Sequence, residues 1–232
     1  DIGADIPAAA AQVKESFTVS KLLREGSIDR IVLKDEPLVQ SFARPTDLAS
    51  YSDKDVLSFV QKMQKELQAK SEHILNAMIR VSTLEVSKLF VSANRELDQN
   101  YTWINGFMGL AYRENDKTVQ VFGFCDSANM ADVMAELPGK MDDLVDRAHH
   151  LTLAKPIEPG VYDVITAPSI TGLIAHEAFG HGVEMDQFVK DRALAKQYVG
   201  KYVASPICNM RDGAAAALSV ASYFFDDDGV LA

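Results

Sequence analysis

Between Ser71 and Asp126 the chain is written in runs that alternate apolar with polar residues: ILNAMIRVST, VSKLFVS, YTWINGFMGLAY and KTVQVFGFC. A two-residue period turns one face of each run to water and the other to a core. Polar segments such as SANRELDQN and RENDK separate the runs, so the pattern predicts an antiparallel meander with one buried face. A half-buried sheet needs something to cover it. The segment Ser52–Lys70 supplies a candidate, because Val56, Phe59, Val60, Met63 and Leu67 fall on one helical stripe behind a Ser52 cap with Asp53 and Asp55 in the first turn. Met130–Leu137 and Met141–Leu151 read as two further helices divided by Pro138 and Gly139.

The flanks are plainer. Residues 8–25 predict a helix stopping near Gly26, and Ile28–Asp35 with Leu38–Arg44 predict a hairpin around Asp35-Glu36-Pro37. Two prolines and a glycine in KPIEPG mark a linker at Lys155–Gly160. We therefore expect an α+β fold: a region over 1–154 with helices packed on the meander, and a strand-helix region over 155–232. In the second region VYDVITA reads as a strand, Pro168 and Ser169 open a helix, and DQFVKDRALAKQYVGKYVAS continues as helix then loop. SVASYFF reads as a strand before the acidic turn DDDG.

A net charge of −10 with no block of Lys or Arg argues against direct contact with a nucleic-acid backbone. The apolar stretches fall far short of a membrane span, and no export signal is visible, so a cytoplasmic protein without a membrane partner is expected. Cys125 and Cys208 lack CxxC spacing and read as small buried apolar residues. Tyr101, Trp103, Phe107 and Tyr112 suit a core better than a peptide groove, and His149 and His150 suit a helix C-terminus.

The chemistry concentrates in AHEAFGHGVEMD, Ala175–Asp186. His176 and His181 are candidate metal ligands, and Glu177 is a candidate general base beside them. The histidines are five residues apart, however. On an ideal helix that separates them by about 140°, too wide for one ion. A helix ending near Gly180, or a π-bulge, would bring His181 back, and the flanking Gly180 and Gly182 would tolerate unusual backbone geometry. Glu184 and Asp186 are candidate further ligands, solvated acids, or hydrogen-bond acceptors for a ligand histidine. The alternative is an ordinary helix C-terminus capped at Gly182.

GLIAHEAFGHGVEMD resembles the HExxxH signature of the TldD/PmbA metallopeptidases, a family also called modulators of DNA gyrase. PGVYDVITAPSITG before it, and VGKYVASP and SYFFDDDGVLA after it, are similar to that family too. The resemblance is specific over Pro159–Ala232 and loose over 20–158. It implies a zinc site held by His176 and His181, Glu177 as the catalytic base, and hydrolysis of short or unfolded peptides. It also implies a paired PmbA/TldE-type subunit or a homo-oligomer. The family's third ligand is a cysteine in a C-terminal β-rich region, to which the resemblance matches neither Cys208 nor Cys125. That leaves a second expectation, a non-catalytic peptide-binding or assembly subunit, and a weaker third, a gyrase-associated regulator.

Overall fold

The computed structural model describes residues 6–22, 35–216 and 219–232. Its contacts divide the chain into two units. Leu33–Ile165 with Asn209–Ala232 form a sheet unit, and Asp1–Val32 with Thr166–Cys208 form a motif unit.

The sheet unit is built on one long strand. β1 (Leu38–Ala43), β2 (Ile74–Val91), β3 (Arg95–Glu114) and β4 (Lys117–Ser127) make a four-stranded sheet centred on β3. β2 runs antiparallel along one edge of β3. On the other edge β4 pairs antiparallel with Ile104–Glu114, and β1 pairs parallel with Arg95–Asn100. The meander is therefore real, with a parallel strand added. ILNAMIRVST and VSKLFVS are one strand rather than two. Only the start of SANRELDQN is a turn, since Arg95–Asn100 belongs to β3.

RELDQN looks like a loop because five of its six residues are charged or amide-bearing. Its inward positions tell otherwise: Leu97 is fully buried, and Gln99 is buried with its amide satisfied. Gln99 Nε2 donates to the Phe225 carbonyl at 2.9 Å, and Gln99 Oε1 accepts from the Phe224 N–H at 2.9 Å. A buried amide with its partners in place is stable inside a sheet. Those partners lie more than a hundred residues away. At the β3–β4 turn Asn115 and Asp116 adopt φ of 52° and 59°, the left-handed pair that a tight hairpin needs.

Three helices cover one face of the sheet. α2 (Asp53–Gln68) starts at Ser52, whose side chain accepts from the Asp55 N–H while Asp55 accepts from the Ser52 N–H. Its stripe is as expected: Met63 and Leu67 are buried, with Val56, Phe59 and Val60 packed around the same core. α3 (Met130–Gly139) and α4 (Met141–Leu153) follow, adding Val133, Leu137 and Leu144. α3 lies close to β3 at Gly106, where a Cβ would stand 2.8 Å from Val133 Cγ1 and 2.9 Å from Cys125 Sγ. α4 is tied to the sheet at Glu114, whose carboxylate meets His149 Nδ1 at 2.6 Å. That hydrogen bond is the main reason the Glu114 carboxyl titrates below its ordinary range.

Trp103, Phe107 and Tyr112 are buried, as core aromatics should be. On the Leu97–Trp103 stretch, Trp103 Nε1 donates to the Ser222 carbonyl at 3.2 Å, and the Arg44 guanidinium sits 4.4 Å from the Trp103 ring centroid. SVASYFF is not a strand. Ser219–Phe225 runs as turns, with a single antiparallel bridge from Phe225 to Leu231 around the DDDG turn, where Gly229 takes φ +71°. VYDVITA is likewise unpaired and exposed. Its β-branched residues favour extended backbone, but a strand also needs a neighbour to accept its hydrogen bonds.

In the motif unit, α1 covers Ile6–Leu22. The expected end near Gly26, and the first arm of the expected hairpin apart from Asp35, lie outside the described residues. Beyond the motif, helix is limited to Met185–Val189 and a 3₁₀ segment at Leu194–Tyr198. No described helix is long and apolar enough to cross a membrane.

The two cysteines differ. Cys125 is buried, and burial first, then the charge of Glu136, pushes its thiol up to about 11. Cys208 is exposed, against expectation, because its loop has no sheet or helix to bury it. The reactive species is the thiolate. A maleimide at mildly alkaline pH should therefore modify Cys208 in the native protein and reach Cys125 only after denaturant is added. Mass spectrometry of labelled peptides reads this out, and native labelling of Cys125 would contradict the burial.

Candidate metal centre

The site is built at the end of a helix. α5 (Pro168–Ala178) opens with Pro168 at its first position, where the missing N–H costs no hydrogen bond. His176 and Glu177 occupy its last turn. The helix stops at Phe179, which takes φ −142° and ψ −30° and donates to the Ala175 carbonyl at 3.1 Å. Gly180–Val183 then forms a 3₁₀ turn. Of the two ways to cure the five-residue spacing, the chain uses helix termination rather than a π-bulge.

The expected role of the glycines needs correction. Neither Gly180 nor Gly182 has a positive φ, and the sharp change of direction falls on Phe179. A Cβ on Gly180 would approach no atom closer than His176 Nδ1 at 3.6 Å, an ordinary contact.

The break brings the candidates together. The rings of His176 and His181 lie 4.4 Å apart between centroids, with their planes at 65°. One ligand atom from each of His176, Glu177 and His181 fits within a mutual 4.8 Å. Among the described residues no other group of three His, Cys, Asp or Glu side chains converges in this way. Glu177 Oε2 stands 3.7 Å from His181 Nε2, and Glu184 Oε1 stands 2.8 Å from His181 Nδ1. The imidazole of His181 thus lies between two carboxylates. Glu184, first through its hydrogen bond and then its charge, and Glu177 more weakly, raise its pKa above the ordinary histidine value.

Asp186 takes no part in this cluster, since its carboxylate is engaged by Lys190 Nζ at 2.8 Å. Cys208 and Cys125 are not in the group either. The donor set of two imidazoles and one carboxylate, open to solvent, suits a divalent transition metal with positions left for water or substrate.

Comparison with known proteins bears on the same segment. Residues 159–232 match the PmbA/TldA metallopeptidase C-terminal domain. A metalloprotease of Methanocaldococcus jannaschii is 24% identical over 225 residues, spanning 94% of this chain and 49% of that protein. A metalloprotease of Synechocystis is 24% identical over 233 residues, spanning 95% of this chain and 48% of that protein. A metalloprotease TldD homolog of Haemophilus influenzae is 34% identical over 71 residues, 31% of this chain and 15% of that protein. The chain thus spans about half the length of the first two relatives. A crystal structure from Bacteroides thetaiotaomicron, of a protein described as a candidate modulator of DNA gyrase, superposes with a TM-score of 0.69 at 15% identity. The overlap covers 90% of this chain and 45% of that one, and it shows the shared α+β fold. Over residues 159–232, which hold the HExxxH segment, the chain is thus similar to the PmbA/TldD metallopeptidases.

Proposed function

We propose that this chain carries the catalytic half-site of a zinc metallopeptidase that hydrolyses short or unfolded peptides. His176 and His181 hold the metal, and Glu177 is the general base. The observation that carries the reading is the convergence of the three side chains within 4.8 Å at a helix end, despite a spacing that a continuous helix would not allow. Zinc, when bound, supplies a Lewis acid that acidifies water and polarises a peptide carbonyl. Glu177 is next to His176 in sequence and faces His181 across 3.7 Å, which supports its carboxylate as the group that takes the proton of an attacking water. The same carboxyl can then protonate the departing amine.

The reading includes a third ligand from outside this set, a cytoplasmic setting, and pairing with a PmbA/TldE-type subunit or another copy. Its test is metal content. Purified protein should carry about one zinc per chain. His176→Ala and His181→Ala should each lose it, as measured by elemental mass spectrometry after dialysis. Equal zinc in wild type and both variants would exclude these ligands. Metal-free wild type that still bound peptides would favour the non-catalytic subunit instead.

A further inference from the structure

We propose that Glu184 is a positioning residue, holding the His181 imidazole in the tautomer whose Nε2 lone pair faces Glu177. Its purpose rests on the metal-holding role of His181, but the hydrogen bond itself does not. His181 Nδ1 and Glu184 Oε1 are 2.8 Å apart. An ionised carboxylate only accepts, so a neutral imidazole must place its one proton on Nδ1. The opposite tautomer would set a lone pair against the carboxylate at that distance. With Nδ1 committed, Nε2 is left bare on the side where Glu177 Oε2 lies at 3.7 Å. A lone pair and a carboxylate pointed into one space is an arrangement that a cation satisfies.

The backbone makes the pairing local. In a 3₁₀ turn residues three apart eclipse, and His181 and Glu184 are three apart at the end of the Gly180–Val183 segment. The other nearby acid, Asp186, is turned to Lys190 at 2.8 Å. Glu184 is therefore the acid of the motif that reaches the far side of His181. Carboxylates in this relation to a ligand histidine fix ring orientation and raise its basicity, and losing one typically weakens metal binding by about 10–100-fold.

The test uses the full chain with Glu184→Ala, Glu184→Gln and Asp186→Ala. Long-range ¹H–¹⁵N spectra of metal-free protein, at a pH where His181 is neutral, should show it protonated on Nδ1 in wild type and in Asp186→Ala. Glu184→Ala should shift the proton towards Nε2. Glu184→Gln, which keeps an acceptor oxygen, should retain the wild-type tautomer. Zinc competition titrations should show about 10–100-fold weaker binding for Glu184→Ala, with Glu184→Gln restoring part of the loss. An unchanged tautomer in Glu184→Ala overturns the proposal, as does a changed tautomer with unchanged zinc affinity. If zinc binds equally well without His176 and His181, the metal reading fails instead, and the spectra still decide whether Glu184 orients the ring.

Discussion

Glu177→Gln is expected to keep its zinc and lose peptide cleavage by about 10²–10⁴-fold, the usual weight of a positioned general base. Glutamine matches glutamate in size and keeps an acceptor oxygen, so the end of α5 should be undisturbed. It cannot take a proton from water at neutral pH. The contrast with the two histidines is the informative part. His176→Ala and His181→Ala should fail by losing metal, whereas Glu177→Gln should fail while fully loaded. A fluorogenic peptide assay beside metal analysis of the same sample measures both. Wild-type turnover in Glu177→Gln would remove the base from this residue, and zinc loss in it would make Glu177 a ligand.

The second large effect is on stability. Leu67→Ala should destabilise the sheet unit by about 2–5 kcal/mol, the range for deleting a buried leucine that its neighbours cannot collapse around. Leu67 is 0% exposed and stands in the core between α2 and the sheet. Leu57 lies on the same helix but is 56% exposed, so Leu57→Ala should change stability by no more than about 0.5 kcal/mol. Denaturant midpoints followed by Trp103 fluorescence compare the two directly, because Trp103 is buried in the same unit. Similar losses from both variants would mean that the α2 stripe does not face the core.

Features governed by neighbours along the chain were readable in advance. Ser52 with Asp55 caps α2 because the partners are three residues apart. The stripe from Val56 to Leu67 follows from a 3.6-residue period. His176, Glu177 and His181 were likewise singled out within a six-residue span, and the Glu184 partner of His181 lies three residues further on. What one-dimensional spacing could not decide was how the chain breaks between the histidines. The glycines looked like the pivot, but the helix ends at Phe179 and neither glycine takes a positive φ.

Sequence by itself determined the α+β character, the helical cover of the sheet and the identity of the converging side chains, because these depend on local period and chemistry. Tertiary structure alone decided that RELDQN is strand while VYDVITA is not. Backbone hydrogen bonds in a sheet must be completed by a distant partner, and polarity is tolerated wherever that partner exists. β1, β2 and the Phe224–Phe225 backbone complete Arg95–Asn100. Val161–Ala167 has β-branched residues in plenty and no strand beside it among the described residues.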